Sequence, residues 1–228
     1  MSFWQDPLVG DKIITLMAAM VLVLQIMMVA MRGIVTSIRA FGLQSFLLAC
    51  IGLTIAHFNH APHIYIAAFM MLVLKAIALP LILEYLVNRI EVRQEIEPLV
   101  NVPISIITAG LLTLLAYVVA ASFHRPEVHT GPAALGHNML AVAISVFLIG
   151  FFTMLNRRKA LAQVLAMLCL ENGILLAAIS LTYGMPLIVE VGVFFDVLVA
   201  ALLLAILIFQ IRETFDSTDV SRLSRLRG

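Results

Sequence analysis

Apolar residues run along this chain in seven long stretches, at about 12–31, 40–57, 64–88, 101–122, 136–155, 161–182 and 186–210. A helix needs about 20 mostly apolar residues to cross a bilayer, and each stretch meets or approaches that length. Polar residues gather in the joints, and almost no sequence is left over for a soluble domain. The pattern predicts an all-α integral membrane protein with about seven transmembrane helices. Most joints are short, so helices adjacent in sequence are expected to run antiparallel.

Two joints are longer. Residues 88–100 read NRIEVRQEIEPLV, a mixed-charge hairpin ending at Pro98, and residues 123–135 read FHRPEVHTGPAAL, rich in proline and glycine. The second divides the chain into a four-helix N-terminal extension (1–135), a three-helix region (136–210) and a polar tail (211–228). Within the third stretch Pro80 removes a backbone hydrogen bond and predicts a kink about one turn beyond Lys75. In the tail, Asp219 can cap a short helix with Val220 and Leu223 on one face, suited to docking on a partner or on the membrane surface.

Composition agrees: 63% of residues are hydrophobic and 12% charged, against about half and a quarter in soluble domains. The first stretch is read as a mature helix, because residues 1–10 hold Asp6 but no Lys or Arg, unlike a secretory signal. Orientation follows from the joints. With the N-terminus outside, the inner segments collect Arg32, Arg39, Arg89, Arg93, Arg157, Arg158, Lys159, Arg212, Arg222, Arg225 and Arg227, and the outer ones only Lys12 and Arg125. The positive-inside rule then places the C-terminus in the cytoplasm.

Three ionisable residues fall near the middle of their stretches: Lys75, Glu171 and Asp196. A charge at the bilayer centre costs about 2.5–3.5 kcal/mol on insertion scales, so residues kept there are expected to face protein or water and to serve a polar path. Burial disfavours the ionised form of a carboxylic acid, which lets such a group trade protons near neutral pH. Glu171 and Asp196 are the candidate proton carriers and Lys75 the counter-charge. Glu190, near the outer end of the last stretch, is a possible portal, and Glu84 is an interfacial anchor.

The histidines, His57, His60, His63, His124, His129 and His137, all fall at outer helix ends or in outer loops. Pro62 interrupts the spacing of the first three, so interfacial or proton-accepting roles are preferred to a metal site. Cys50 and Cys169 stand alone in different stretches and cannot supply the thiolates of an iron–sulfur, nickel or zinc site. No cofactor is expected in this chain, and no nucleic acid as a partner.

The last three stretches carry a resemblance. Gly150 in VFLIGFF, then Asn156, Arg157 and Arg158, then Leu170, Glu171 and Asn172 look like the K subunit of respiratory complex I, over about residues 136–228. By that resemblance Glu171 and Asp196 stand at the two carboxylates of the family's proton path. Two features depart from it: Asn172 directly follows Glu171, where the K subunit spaces its Asn farther away, and Asp196 stands where it has Glu. A fuller resemblance is to the hydrogenase-4 component E family, which adds an N-terminal helical extension. It shows a Lys-then-Pro helix like Lys75 and Pro80, a Gly-His like Gly136 and His137, and a Glu-Asn-Gly like Glu171, Asn172 and Gly173. It continues with Pro-x-x-x-Glu like Pro186 and Glu190, and an Asp near Asp196.

The resemblance implies a membrane-arm subunit of a group 4 hydrogenase or formate hydrogenlyase-type complex in the bacterial inner membrane. The proton path would run through Lys75, Glu171, Asp196, Glu190 and His137. Implied partners are antiporter-like and complex I H-like membrane subunits, a cytoplasmic redox arm holding the nickel–iron and iron–sulfur sites, and membrane lipid. Two alternatives stay open: a subunit of a multi-subunit cation/proton antiporter, and a subunit that only braces its neighbours.

Overall fold

The computed structural model describes residues 7–59, 62–89, 98–122 and 139–182, together with Gly192 and Val199. The stretch at 186–210 otherwise lies outside the described residues, as do Glu190, Asp196, His137 and the tail. Among the described residues the secondary structure is helical, with one isolated bridge between Pro98 and Arg157. Six helical spans among the described residues are long and apolar enough to cross a membrane, so the chain is a multi-pass membrane protein.

The helices are α1 (Pro7–Ala30), α2 (Ile34–Asn59), α3 (Pro62–Met71), a π-helical segment (Leu72–Ala78), α4 (Leu79–Arg89), α5 (Val102–Ser122), α6 (Met139–Asn156) and α7 (Ala160–Thr182). α1 opens on a proline, whose missing N–H is harmless in the first turn. α2 begins at Ile34, earlier than the apolar run suggests, and so includes Arg39, which the hydropathy pattern puts in the joint. The helix can start early because Ser37 folds back: its N–H donates to Gly33 O at 3.1 Å and its hydroxyl to the same oxygen at 3.0 Å. Arg39 stays exposed on the helix and its Nε donates to Glu84 Oε1 on α4 at 2.9 Å. Lys12, likewise a joint residue by hydropathy, is an exposed residue of α1.

α3, the π segment and α4 form one crossing. Pro80 has no N–H to give, and its ring excludes the carbonyl one turn back. The chain meets this by widening into a π-helix whose closing bond runs from Leu79 N–H to Leu74 O, five residues apart rather than four. Gly42 of α2 lets the two helices close on that point: a Cβ there would lie 3.1 Å from Pro80 Cγ and 3.4 Å from Ala76 O. The expected local break beside Lys75 therefore takes the form of a π segment centred on that residue.

α6 and α7 approach backbone to backbone. A Cβ on Gly150 would lie 2.8 Å from Leu170 Cα, and one on Gly173 would lie 2.5 Å from Phe147 N. Glycine at both places is what allows close packing where lipid supplies no hydrophobic squeeze between helices. α5 turns Ser105, Ala109 and Ala116 inward, while Ile107, Leu111, Leu114 and Val118 are exposed along one face.

Among the described residues the core holds three apolar clusters, a small one around Val29, Ala109 and Ile149 and two larger ones with a polar layer between them. One larger cluster joins Met28, Ile38, Phe41, Leu83, Leu168 and Cys169, and the other joins Ile14, Val21, Leu48, Met71, Val146 and Leu175. The polar layer is made of buried residues from several helices: Gln25 on α1, Gln44 and Ser45 on α2, Lys75 on the π segment, Glu171 and Asn172 on α7.

Candidate functional site: a buried ion pair and its amide chain

Lys75 and Glu171 are brought together in that layer. Lys75 lies about halfway along the crossing Pro62–Arg89, and Glu171 lies about 16 Å into α7 at 1.5 Å per residue. The Lys75 ammonium stands 3.1 Å from Glu171 Oε1, and the two side chains are 1% and 8% exposed. At that separation each charge is the other's counter-ion, which offsets the expense of holding either alone in a low-dielectric layer.

Three consecutive residues of α7 divide the labour, because successive positions turn by about 100°. Glu171 meets Lys75, Gly173 seats α7 on α6, and Asn172 between them reaches toward α2. Lys75 Nζ donates to Asn172 Oδ1 at 3.4 Å. Asn172 Nδ2 donates in turn to Gln44 Oε1 at 3.1 Å and to Ser45 Oγ at 3.2 Å. Gln44 Nε2 donates to Gln25 Oε1 at 2.9 Å and to Val21 O at 3.3 Å.

Every donor in this chain points away from Lys75. An ammonium group offers donors and no acceptor, so Asn172 must turn its oxygen toward Lys75 and its NH2 toward Gln44, and each later amide follows suit. The oriented amides present their negative ends to Lys75 and stabilise its charge. Hydropathy and motif spacing do not single out Gln25, Gln44 or Ser45. The signal they leave is two glutamines inside otherwise apolar runs, but uncharged residues carry no obligatory partner and draw less notice than a lysine or glutamate.

Gly192 is close by: a Cβ built on it would lie 4.0 Å from Glu171 Oε1 and 3.7 Å from Leu175 Cδ1. The backbone of the last stretch thus passes Glu171 at this point. Of the other candidate residues, Asp196, Glu190 and His137 lie outside the described residues. Glu84 pairs with Arg39. His57 is exposed near the end of α2, with its ring edge-on to Phe58. Among the described residues, no three His, Cys, Asp or Glu side chains gather in a way that could hold a metal ion.

The turn between α6 and α7 holds a third buried charge, which topology counting alone does not reveal. Arg157 is 3% exposed. Its Nη2 donates to Met28 O at 3.0 Å, to Val29 O at 3.3 Å and to Met31 O at 3.3 Å, closing the carbonyl end of α1, where a cation also suits the helix dipole. Burial lowers the guanidinium pKa from its ordinary value. Its neighbour Asn156 ties down the entry to α5: Oδ1 accepts from Val100 N–H at 2.8 Å, and Nδ2 donates to Ser105 Oγ at 3.1 Å.

No protein-family model matches the chain, and no solved structure matches it. It is similar to the uncharacterized protein Rv0085 of Mycobacterium tuberculosis, with 36% identity over 157 residues, 68% of this chain and 69% of that one. It is also similar to hydrogenase-4 component E of Escherichia coli K12, with 26% identity over 221 residues, 96% of this chain and 99% of that one. The component E of Shigella flexneri matches to the same extent. The likeness to hydrogenase-4 component E thus runs along nearly the whole length of the chain.

Proposed function

We propose that this protein is a membrane subunit of a hydrogenase complex in the bacterial cytoplasmic membrane, and that Lys75 and Glu171 form part of a proton path coupled to redox chemistry in partner subunits. The full-length likeness to hydrogenase-4 component E supports the first half. The observation that carries the second is the 3.1 Å ion pair midway through the membrane-spanning helices.

The pair suits proton transfer because neither charge is neutral in its effect on the other. A proton reaching Glu171 discharges the carboxylate and takes that counter-charge from the Lys75 ammonium in a medium that opposes buried charge. The excess positive charge is relieved when a proton leaves Lys75 or when another carboxylate comes to meet it. Asp196, just beyond Gly192, is the candidate for that role, with Glu190 and His137 as stations toward the outer side. Where Lys75 has released its proton, transfer of the Glu171 proton to the Lys75 amine restores the pair; where another carboxylate has met Lys75, release of the Glu171 proton does so. The π segment favours such a cycle, since its widened backbone bonds hold Lys75 less rigidly than an α-helix would.

In this reading the N-terminus is outside, the C-terminal tail is cytoplasmic, and the chain packs among antiporter-like and complex I H-like membrane subunits. Nickel–iron and iron–sulfur centres reside in partners of the cytoplasmic redox arm, where formate or another donor is oxidised. Isolation of the tagged chain in mild detergent tests the assembly. Co-purification of hydrogenase large and small subunits is the expected result. Recovery with cation/proton antiporter subunits instead, or proton flux through the chain alone in liposomes, would overturn the assignment.

A further inference from the structure

A second polar place lies beyond Gln25, toward the turn at Arg157. It is a small cavity of about 20 Å³, lined by Gln25, Ser37, Thr153 and Arg157, with the sulfur-bearing side chains of Met28 and Cys169 on its wall. We infer that this cavity holds one ordered water molecule, bound by four side chains of matching polarity. The volume exceeds the roughly 10–15 Å³ that a single water requires, and cavities with several polar partners fill where apolar ones stay dry.

The hydrogen-bond inventory decides how such a water would sit. Ser37 gives its hydroxyl proton to Gly33 O and Thr153 gives its own to Ile149 O at 2.7 Å, so both oxygens can only accept. Gln25 spends its oxygen on Gln44, which leaves its NH2 as the donor. Arg157 has only donors. Two acceptors and two donors are what a water needs to make four hydrogen bonds. The water extends the oriented chain Lys75–Asn172–Gln44–Gln25 toward the turn that closes α1. Amides in such a chain polarise one another, so the water feels the charge on Lys75 although it lies outside contact with it. That electrical link rests on the function proposed above; the presence of the water does not.

Radiolytic hydroxyl-radical footprinting of the full chain, in its complex and in lipid nanodiscs, tests the inference with the bound water itself as the probe. Radicals born from an ordered water oxidise the nearest sulfur. Met28, Met71 and Met139 are equally buried, at 4%, 3% and 1% exposed, but only Met28 lines the cavity. Met28 should be oxidised several-fold faster than the other two. Ala166→Val, which pushes two methyl groups into the cavity from α7, should bring Met28 down to their rate, and the nearly isosteric Thr153→Val should slow it. Equal rates for all three methionines in the unaltered protein would overturn the inference. So would an undiminished Met28 rate in a folded Ala166→Val chain, which would point to bulk solvent as the source. Glu171→Gln, which tests the proton path, should leave Met28 oxidation unchanged, so the two ideas can fail separately.

Discussion

The Lys75 ammonium meets the Glu171 carboxylate at 3.1 Å across the contact between the π segment and α7. Two charges placed far apart in sequence become one local unit in a layer where neither would be tolerated alone. Substituting either one therefore tests more than the loss of a contact. Lys75→Met takes the ammonium away from the Glu171 carboxylate and should lower stability by about 3–5 kcal/mol, the usual penalty for breaking a buried pair. The double variant Lys75→Met/Glu171→Gln should recover much of that loss. Thermal melting of the detergent-solubilised complex reads both, and a double variant no better than the single one would show that the pair is not energetically coupled.

The clamp at the end of α1 makes a different demand. Arg157 serves three carbonyl oxygens with one guanidinium nitrogen, so Arg157→Ala leaves buried acceptors unserved at about 1–3 kcal/mol each. Arg157→Lys should rescue only part, because a single ammonium cannot reproduce the planar fork. Melting temperature and protease resistance should fall in the order wild type, Lys, Ala.

Glycines in the bundle should respond according to what surrounds them. Gly173→Val has no room, with Phe147 N at 2.5 Å from the first added carbon, and should prevent α6 and α7 from packing and so abolish membrane assembly. Gly110 on α5 has nothing within 4 Å of the same position. Gly110→Ala should be neutral or gain about 0.5–1 kcal/mol through helix propensity. Quantitative immunoblotting of membrane fractions, followed by melting of whatever is assembled, separates the two.

The apolar runs of the sequence locate each described crossing to within about six residues at either end, and the mid-run positions of Lys75 and Glu171 mark them as buried charges. That Lys75 is a counter-charge to a buried carboxylate is legible there, but which carboxylate it meets is not, because which faces of two helices meet is set by packing at Gly42, Gly150 and Gly173, and a hydropathy pattern is silent on rotation about the helix axis. Pro80 announces a disturbance beside Lys75, but whether a helix kinks or widens depends on its neighbour, and here Gly42 makes room. Gln25 and Gln44 escape notice since a lone amide is only mildly unwelcome in an apolar run. Arg157 reads as one more basic residue of a joint. Its buried clamp exists because α1 ends against that turn, a tertiary fact with no local trace.

On the proposed function, the carboxyl of Glu171 takes part in proton movement rather than merely bracing the bundle. The most direct measurement is proton translocation by the intact complex in sealed vesicles, comparing wild type with Glu171→Gln while monitoring redox turnover and subunit content. Glutamine keeps the shape and a polar oxygen near Lys75 but cannot exchange a proton at that site. Full assembly with translocation per turnover strongly reduced is the expected result. Undiminished translocation in a fully assembled Glu171→Gln complex would contradict it and leave Glu171 a structural residue.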